Sequence, residues 1–288
     1  MQGRLVPSRD DRIQCFPRDR WPDEFALASL VGLDSIEWIY DATDADVNPI
    51  ATDEGIEAIR RLQAETGIVV ASVDADYLIQ RPLLRVGDGD FEERLDVLRW
   101  LIGRAALLGA ERIVLPFVDA SGIETDEDLD RVVVALDRVT PLAASAAVTL
   151  NLEVSLSPRR LAELLARLPS PSVRVNYDAG NSASLGYDPR EEFAEYGHRI
   201  GSVHVKDRVR GGGTVPLGSG DADLPLVFEC LHVFGYAGDV VMEIARGIPG
   251  EEVAWAAHNR AYIQELLGHH GEEMRLLARE LFASDLLD

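Results

Sequence analysis

Residues 148–154 read Val148-Thr149-Leu150-Asn151-Leu152-Glu153-Val154, with apolar and polar side chains alternating one for one. A period of two marks a β-strand, whose successive side chains leave opposite faces. Thr149, Asn151 and Glu153 therefore share one face, and Val148, Leu150 and Leu152 share the other. The next three β-branched runs repeat the pattern. Val173, Val175 and Tyr177 oppose Asn176 and Asp178, Val203 and Val205 oppose Ser202, His204 and Lys206, and Val240, Met242 and Ile244 oppose Val241 and Glu243. Where helices cover the outside of a parallel sheet, the apolar face meets the helices and the polar face turns inward.

Outward from these four, further strand signals fall at Gln2–Val6, Ser35–Tyr40, Ile68–Val73 and Arg112–Phe117, the later runs being Val148–Val154, Val173–Asp178, Gly201–Lys206 and Asp239–Ile244. Their spacing of roughly 25 to 45 residues is that of a strand, a crossover helix and two loops. Helix punctuation fills the gaps. Ser157-Pro158 and Asp188-Pro189 pair an N-cap side chain with proline at the first helical position, each just after a strand. Thr125 to Asp128 reads as a capping box, and Phe91, Leu95, Leu98, Ile102 and Ala105 form one apolar helix face. Eight βα units within about 250 residues, without a linker or a composition shift, predict the α/β class and a single closed (β/α)8 TIM barrel. The barrel is expected over residues 1–268, with a C-terminal helical extension over 269–288, where Met274, Leu277, Leu281 and Phe282 fall at helical spacing. That extra helix either caps the barrel or meets a second copy, which keeps a homo-oligomer among the expectations.

The chain has 288 residues, 47% of them hydrophobic and 27% charged, which excludes a disordered protein. Its formal net charge of −22 opposes nucleic acid and anionic lipid, so small molecules are the expected partners. No run reaches the roughly 18 apolar residues of a membrane span. The opening Met1-Gln2-Gly3-Arg4-Leu5 lacks the apolar core of a secretion signal, and Cys15 and Cys230 form no CxxC, so a cytoplasmic location is expected.

Glu153, Asp178, His204 and Glu243 each stand near the carboxyl end of an inward-facing strand, where barrel active sites form. Three carboxylates and an imidazole in a poorly solvated space repel one another, and one divalent ion resolves that conflict. The mixed oxygen and nitrogen donors suit Mn²⁺, Mg²⁺, Co²⁺ or Zn²⁺. The alternative for each acid alone is an ion pair, for which Lys206, Arg208 and Arg246 are available, and a lone His is ordinarily a satisfied core residue.

Leu152-Glu153-Val154, Asn176-Tyr177-Asp178-Ala179-Gly180-Asn181, Val203-His204-Val205-Lys206-Asp207-Arg208 and Met242-Glu243-Ile244 together resemble the sugar phosphate isomerase/epimerase superfamily with the xylose isomerase-like barrel, over about residues 1–266. The resemblance implies that Glu153, Asp178, His204 and Glu243 bind one divalent metal, and that Glu153 and Glu243 also act as proton acceptor and donor on opposite faces of a sugar. Ketose 3-epimerases of that superfamily commonly carry a His three residues after the metal-binding Asp. Here that position is Asn181, which can hydrogen-bond a hydroxyl but cannot take a charge. The metal set is untouched by this departure, whereas a particular epimerase is not singled out.

The expected activity is isomerisation or epimerisation of a small sugar or sugar phosphate, with the metal stabilising the enediolate left by α-proton loss. Asn181, Lys206, Arg208, Arg246, Glu37 and Arg4 are the candidate substrate-binding residues. The Gly211–Gly220 loop reads equally as an anion-binding lid or as a plain connection. Asp74 and Asp76 read first as helix-capping or solvated loop residues. The other readings weighed are a lyase resembling inosose dehydratase, a non-catalytic sugar-binding barrel, and a nuclease resembling endonuclease IV, which the chain's six His and acidic balance oppose.

Overall fold

In the computed structural model, which describes residues 1–9 and 12–284 with side chains to residue 268, the helices and strands alternate as the spacing predicts. The elements are α1 (Trp21–Val31), β1 (Ser35–Ile39), α2 (Asp53–Thr66), β2 (Val69–Asp74), α3 (Tyr77–Gln80), α4 (Asp88–Leu108), β3 (Arg112–Phe117), α5 (Asp126–Ser145), β4 (Thr149–Val154), α6 (Pro158–Arg167), β5 (Val173–Asp178), α7 (Ala179–Leu185), α8 (Pro189–Tyr196), β6 (Ile200–Val205), β7 (Asp207–Arg208), β8 (Thr214–Val215), α9 (Leu224–Val233), β9 (Val240–Met242) and α10 (Glu252–Ser284). The parallel sheet runs β1-β2-β3-β4-β5-β6-β9, and β7 with β8 forms a small antiparallel hairpin.

The eighth position is filled by Met1 and Gln2. Gln2 bridges Glu37 in parallel, its N–H donates to the Met242 carbonyl at 3.4 Å, and the Glu37 N–H donates to the Met1 carbonyl at 2.9 Å. The expected strand Gln2–Val6 thus shrinks to a single bridge, for a local reason. Gly3 takes φ +38, and a Cβ there would meet Ile39 Cδ1 at 2.9 Å. Beyond it the Leu5 and Val6 N–H groups turn away from the ladder and donate to the buried Glu24 carboxylate of α1 at 3.0–3.2 Å. The last strand is also shorter than Asp239–Ile244, although the Glu243 N–H still donates to the Val205 carbonyl at 3.1 Å.

The alternation of the quoted runs becomes two environments. Leu150, Leu152, Val173, Val175, Val203 and Val205 are fully buried in the shared hydrophobic core. On the other face Asn151 donates to the Ser202 hydroxyl at 2.7 Å, and Ser202 donates to Asn176 at 2.6 Å, a polar layer across the barrel axis. The predicted face of α4 is buried throughout, and Thr125 with Asp128 forms the capping box of α5. Two punctuation readings need correction. Ser157 makes no side-chain cap, and Asp188, which does cap α8, is separated from β5 by the seven residues of α7. The extension predicted over 269–288 lies outside the described side chains, and the helix α10 crosses residue 268 without a break. No described helix is long and apolar enough to cross a membrane.

Burial raises the Glu24 carboxyl from its ordinary 4.5 to about 7, with the Leu5 and Val6 N–H groups opposing the shift. An acid whose folded pKa is raised contributes stability that is complete below pH 4.5 and is lost as pH climbs towards 7. Urea unfolding of wild type and Glu24→Gln between these limits should therefore show the variant gaining on wild type as pH rises, by at most about 1.4 kcal/mol per pH unit. A constant difference across that range would place the Glu24 carboxyl at an ordinary pKa.

Candidate metal centre

β4, β5 and β6 present Glu153, Asp178 and His204 at one end of the barrel, and Glu243 follows β9 by one residue. Asp178 and His204 are register partners. All four residues are buried, and each offers a ligand atom within 4.8 Å of the others. His204 Nδ1 lies 2.9 Å from Glu243 Oε2 and 3.3 Å from Glu153 Oε2, while Nε2 lies 2.8 Å from Glu37 Oε1. Among the described residues neither ring nitrogen finds a hydrogen-bond partner in an acceptable direction, although the ring has no exposure. With a proton on Nε2 facing Glu37, the Nδ1 lone pair would lie among the other carboxylates, as where a carboxylate behind a ligating imidazole fixes its orientation. An orphaned buried nitrogen beside three carboxylates is a donor set that fits a divalent cation, and these four residues are the ones that would hold it.

The neighbours hold the set in place. Asn176 donates to Glu153 Oε2 at 2.8 Å and Asn181 to Oε1 at 2.7 Å. Asp178 caps α7 by accepting from the Asn181 N–H at 2.8 Å. Lys206 donates to Asp178 at 3.1 Å and to Glu243 at 2.5 Å. Gly180 makes room for it, since a Cβ there would meet Lys206 Cγ at 2.6 Å. Glu37 accepts from the Ser72 hydroxyl at 2.7 Å.

Burial and charge then work against each other. Burial favours neutral His204, but Glu37, Glu153 and Glu243 override it and raise the imidazole well above its ordinary value. Burial would raise Glu243, but Lys206, His204 and Arg4 hold it well below the usual carboxylate range. Asp178 is lifted by burial to about 6 despite Lys206.

The candidate substrate-binding residues divide by location. Asn181, Lys206 and Arg208 line a cavity of about 500 Å³ that also touches Glu153 and Glu243. Arg208 gives one nitrogen to Asn181 Oδ1 at 2.8 Å and the other two to the Gly212 carbonyl at 3.0 and 2.7 Å. Glu37 lies behind His204, and Arg4 is buried where it pairs with Glu243 at 3.3 Å and donates to the Ile244 carbonyl. Neither of these two reaches the cavity lining. Arg246 is directed elsewhere, its guanidinium donating to the carbonyls of Ile13, Val6 and Gly3 at 2.9–3.3 Å, so it straps down the segment that closes the barrel. In the Gly211–Gly220 loop the N–H groups of Gly211, Gly212 and Gly220 donate to Ser184, Val209 and Asp207.

Asp74 and Asp76, which the sequence suggests as capping or loop residues, line the cavity. Asp74 shares the inward parity of Ser72 on β2, a signal that was present in the alternation. Asp76 precedes α3 without capping it by its side chain, and both carboxyls are buried against the cavity. Gln14, which bridges them, stands in no periodic element and gave no signal. Burial, with each acid beside the other charges, raises Asp74 well above its ordinary value and Asp76 to about 7.

The profile of the xylose isomerase-like TIM barrel family matches residues 25–266, and the chain belongs to that family. Among curated proteins it is 28% identical over 260 residues to L-ribulose-5-phosphate 3-epimerase UlaE of Salmonella typhi, covering 87% of this chain and 91% of that protein. Among solved structures it resembles an L-ribulose 3-epimerase, with a TM-score of 0.74 at 19% identity and 96% of each chain covered. The IOLI protein with a binding zinc atom also superimposes with a TM-score of 0.74, at 16% identity over 93% of this chain and 96% of that one.

Adding Mn²⁺ at about 100 times its Kd should stabilise the wild-type protein by about 2.7 kcal/mol, read as a rise in Tm. His204→Ala and Asp178→Asn should lose most of that rise. An undiminished rise in both variants would place the ion elsewhere.

Proposed function

We propose that this chain is a divalent-metal-dependent isomerase or epimerase that moves the proton α to the carbonyl of a small sugar. The observation that carries the reading is the approach of four ligand atoms from four barrel elements to within 4.8 Å of one another, beside a cavity of about 500 Å³. Kinship with proteins named as ribulose and ribulose-phosphate 3-epimerases agrees with it. A cavity of that volume has room for a pentose or hexose with some water. The chemistry a bound ion supplies is Lewis-acid polarisation of the carbonyl next to the labile C–H bond.

The remaining work falls to side chains. Glu153 and Glu243 both line the cavity and flank His204, so one takes the α-proton from one face of the sugar and the other returns a proton to the opposite face. Their surroundings differ. Lys206 and Arg4 keep Glu243 ionised, whereas Glu153 is held by the amides of Asn176 and Asn181, which fix its position without adding charge. Asn181 also accepts from Arg208, so it ties Glu153 to the cavity wall as a positioning residue. Glu37 acts at one remove, setting the orientation of His204.

The test is proton exchange. Incubated in D₂O with Mn²⁺ and ketopentoses, the protein should place solvent deuterium at the carbon next to the carbonyl and yield the epimer or isomer. Glu153→Gln and Glu243→Gln should each slow the exchange by about 10² to 10⁴-fold. If no sugar exchanges with the metal-loaded protein, the reading fails. An unsaturated, ultraviolet-absorbing product in place of an isomer would assign elimination instead.

A further inference from the structure

On the reading of this site as a sugar epimerase or isomerase, the geometry points to its substrate class: an unphosphorylated sugar whose distal hydroxyls are held by Asp74 and Asp76. In the closed ring β2, which ends in Asp74, lies across from β6, which carries His204. Both aspartates line the same cavity as Glu153 and Glu243. A sugar with its carbonyl end at the four convergent ligands therefore extends towards them.

Three observations set the chemistry of that far wall. Asp74 Oδ2 accepts from the Gln2 and Gln14 amides, but Asp74 Oδ1 is buried without a hydrogen-bond partner among the described residues. That oxygen is closed off from the cavity as well as from solvent, so the more accessible aspartate for a ligand O–H on this wall is Asp76. Asp76 accepts from the same Gln14 amide at 2.7 Å, and among the described residues neither aspartate forms an ion pair. With exposed Asp119 also on the lining, this wall presents carboxyl oxygens and no cation.

Of the two cations that could offset a phosphate, Lys206 is paired with carboxylates, and Arg208 is tied to the wall through neutral acceptors. Lys206 and Arg208 are the cationic side chains on the lining. Lys206 is held between Asp178 and Glu243, and Arg208 has every guanidinium nitrogen engaged by Asn181 or Gly212. Of the loop glycines, Gly211, Gly212 and Gly220 donate their N–H groups to Ser184, Val209 and Asp207. A phosphate dianion needs several donors and would meet carboxyl groups on this wall, whereas a sugar hydroxyl donates to a carboxyl oxygen.

The experiment compares L-ribulose with L-ribulose 5-phosphate by calorimetric titration into the Mg²⁺-loaded protein, with deuterium exchange followed in parallel. L-ribulose should bind at least about tenfold more tightly. Asp74→Asn/Asp76→Asn should weaken L-ribulose and narrow the ratio to within about threefold, while Mg²⁺ affinity changes by less than about twofold. For a variant that fails to fold, the wild-type readout is inorganic phosphate. At millimolar concentration it should leave L-ribulose binding unchanged. A 5-phosphate that binds as well or better, a ratio untouched by the double substitution, competition by phosphate, or binding of neither sugar overturns the assignment. Exchange of the 5-phosphate alone would sink this inference and leave the epimerase reading intact. Selective binding of L-ribulose without exchange would do the reverse.

Discussion

Carboxylates buried at one end of a barrel must have their lost hydration replaced, and this constraint organises the molecule. Removing an ionised carboxylate from water costs several kcal/mol unless donors or an opposite charge take over. Glu37, Asp74, Asp76, Glu153, Asp178 and Glu243 are all buried within the same end. Ser72, Gln2, Gln14, Asn176, Asn181, Lys206 and Arg4 answer most of their oxygens. Among the atoms left unanswered are both His204 nitrogens, Arg4 Nε and Asp74 Oδ1, and a metal ion would satisfy His204 Nδ1.

The same constraint explains how the barrel is closed. A full eighth strand would continue the ladder past Gln2, but Gly3 turns the chain so that Arg4 points under Glu243. The segment that leaves is then held twice, by the Glu24 carboxylate on two N–H groups and by the Arg246 guanidinium on three carbonyls. Closure thereby brings Gln2 to Asp74 and Arg4 to Glu243, and part of the site's charge balance depends on it. Arg246, conspicuous in the sequence as a cation after the last strand, serves this strap and leaves the cavity to others.

What could be read from the chain was the periodic part. Alternation in Val148–Val154 and its successors identified the strands and placed Glu153, Asp178, His204 and Glu243 on inward faces, and the structure has those faces. Alternation also points inward at Glu37, yet it cannot say which inward residue lies level with which, because register depends on strand pairing. The hydrogen bonds of Arg208, the short helix α7 after Asp178 and the roles of Gln2 and Gln14 have no periodic signature. The two cavity aspartates were visible as residues and invisible as a pair.

By itself the sequence determined the repeating βα order, the inward direction of the polar side chains and the chemical types gathered at the strand ends. These are consequences of local geometry, since a strand's side chains alternate whatever it pairs with. Only the closed tertiary structure decided which of those side chains share a space. Gln2 meets Asp74 across 72 residues and Arg246 meets Gly3 across 243, separations over which no local rule operates. Curling the sheet into a ring converts distant positions into neighbours, and in doing so it separates the cations that seal the fold from the carboxyls that face the cavity.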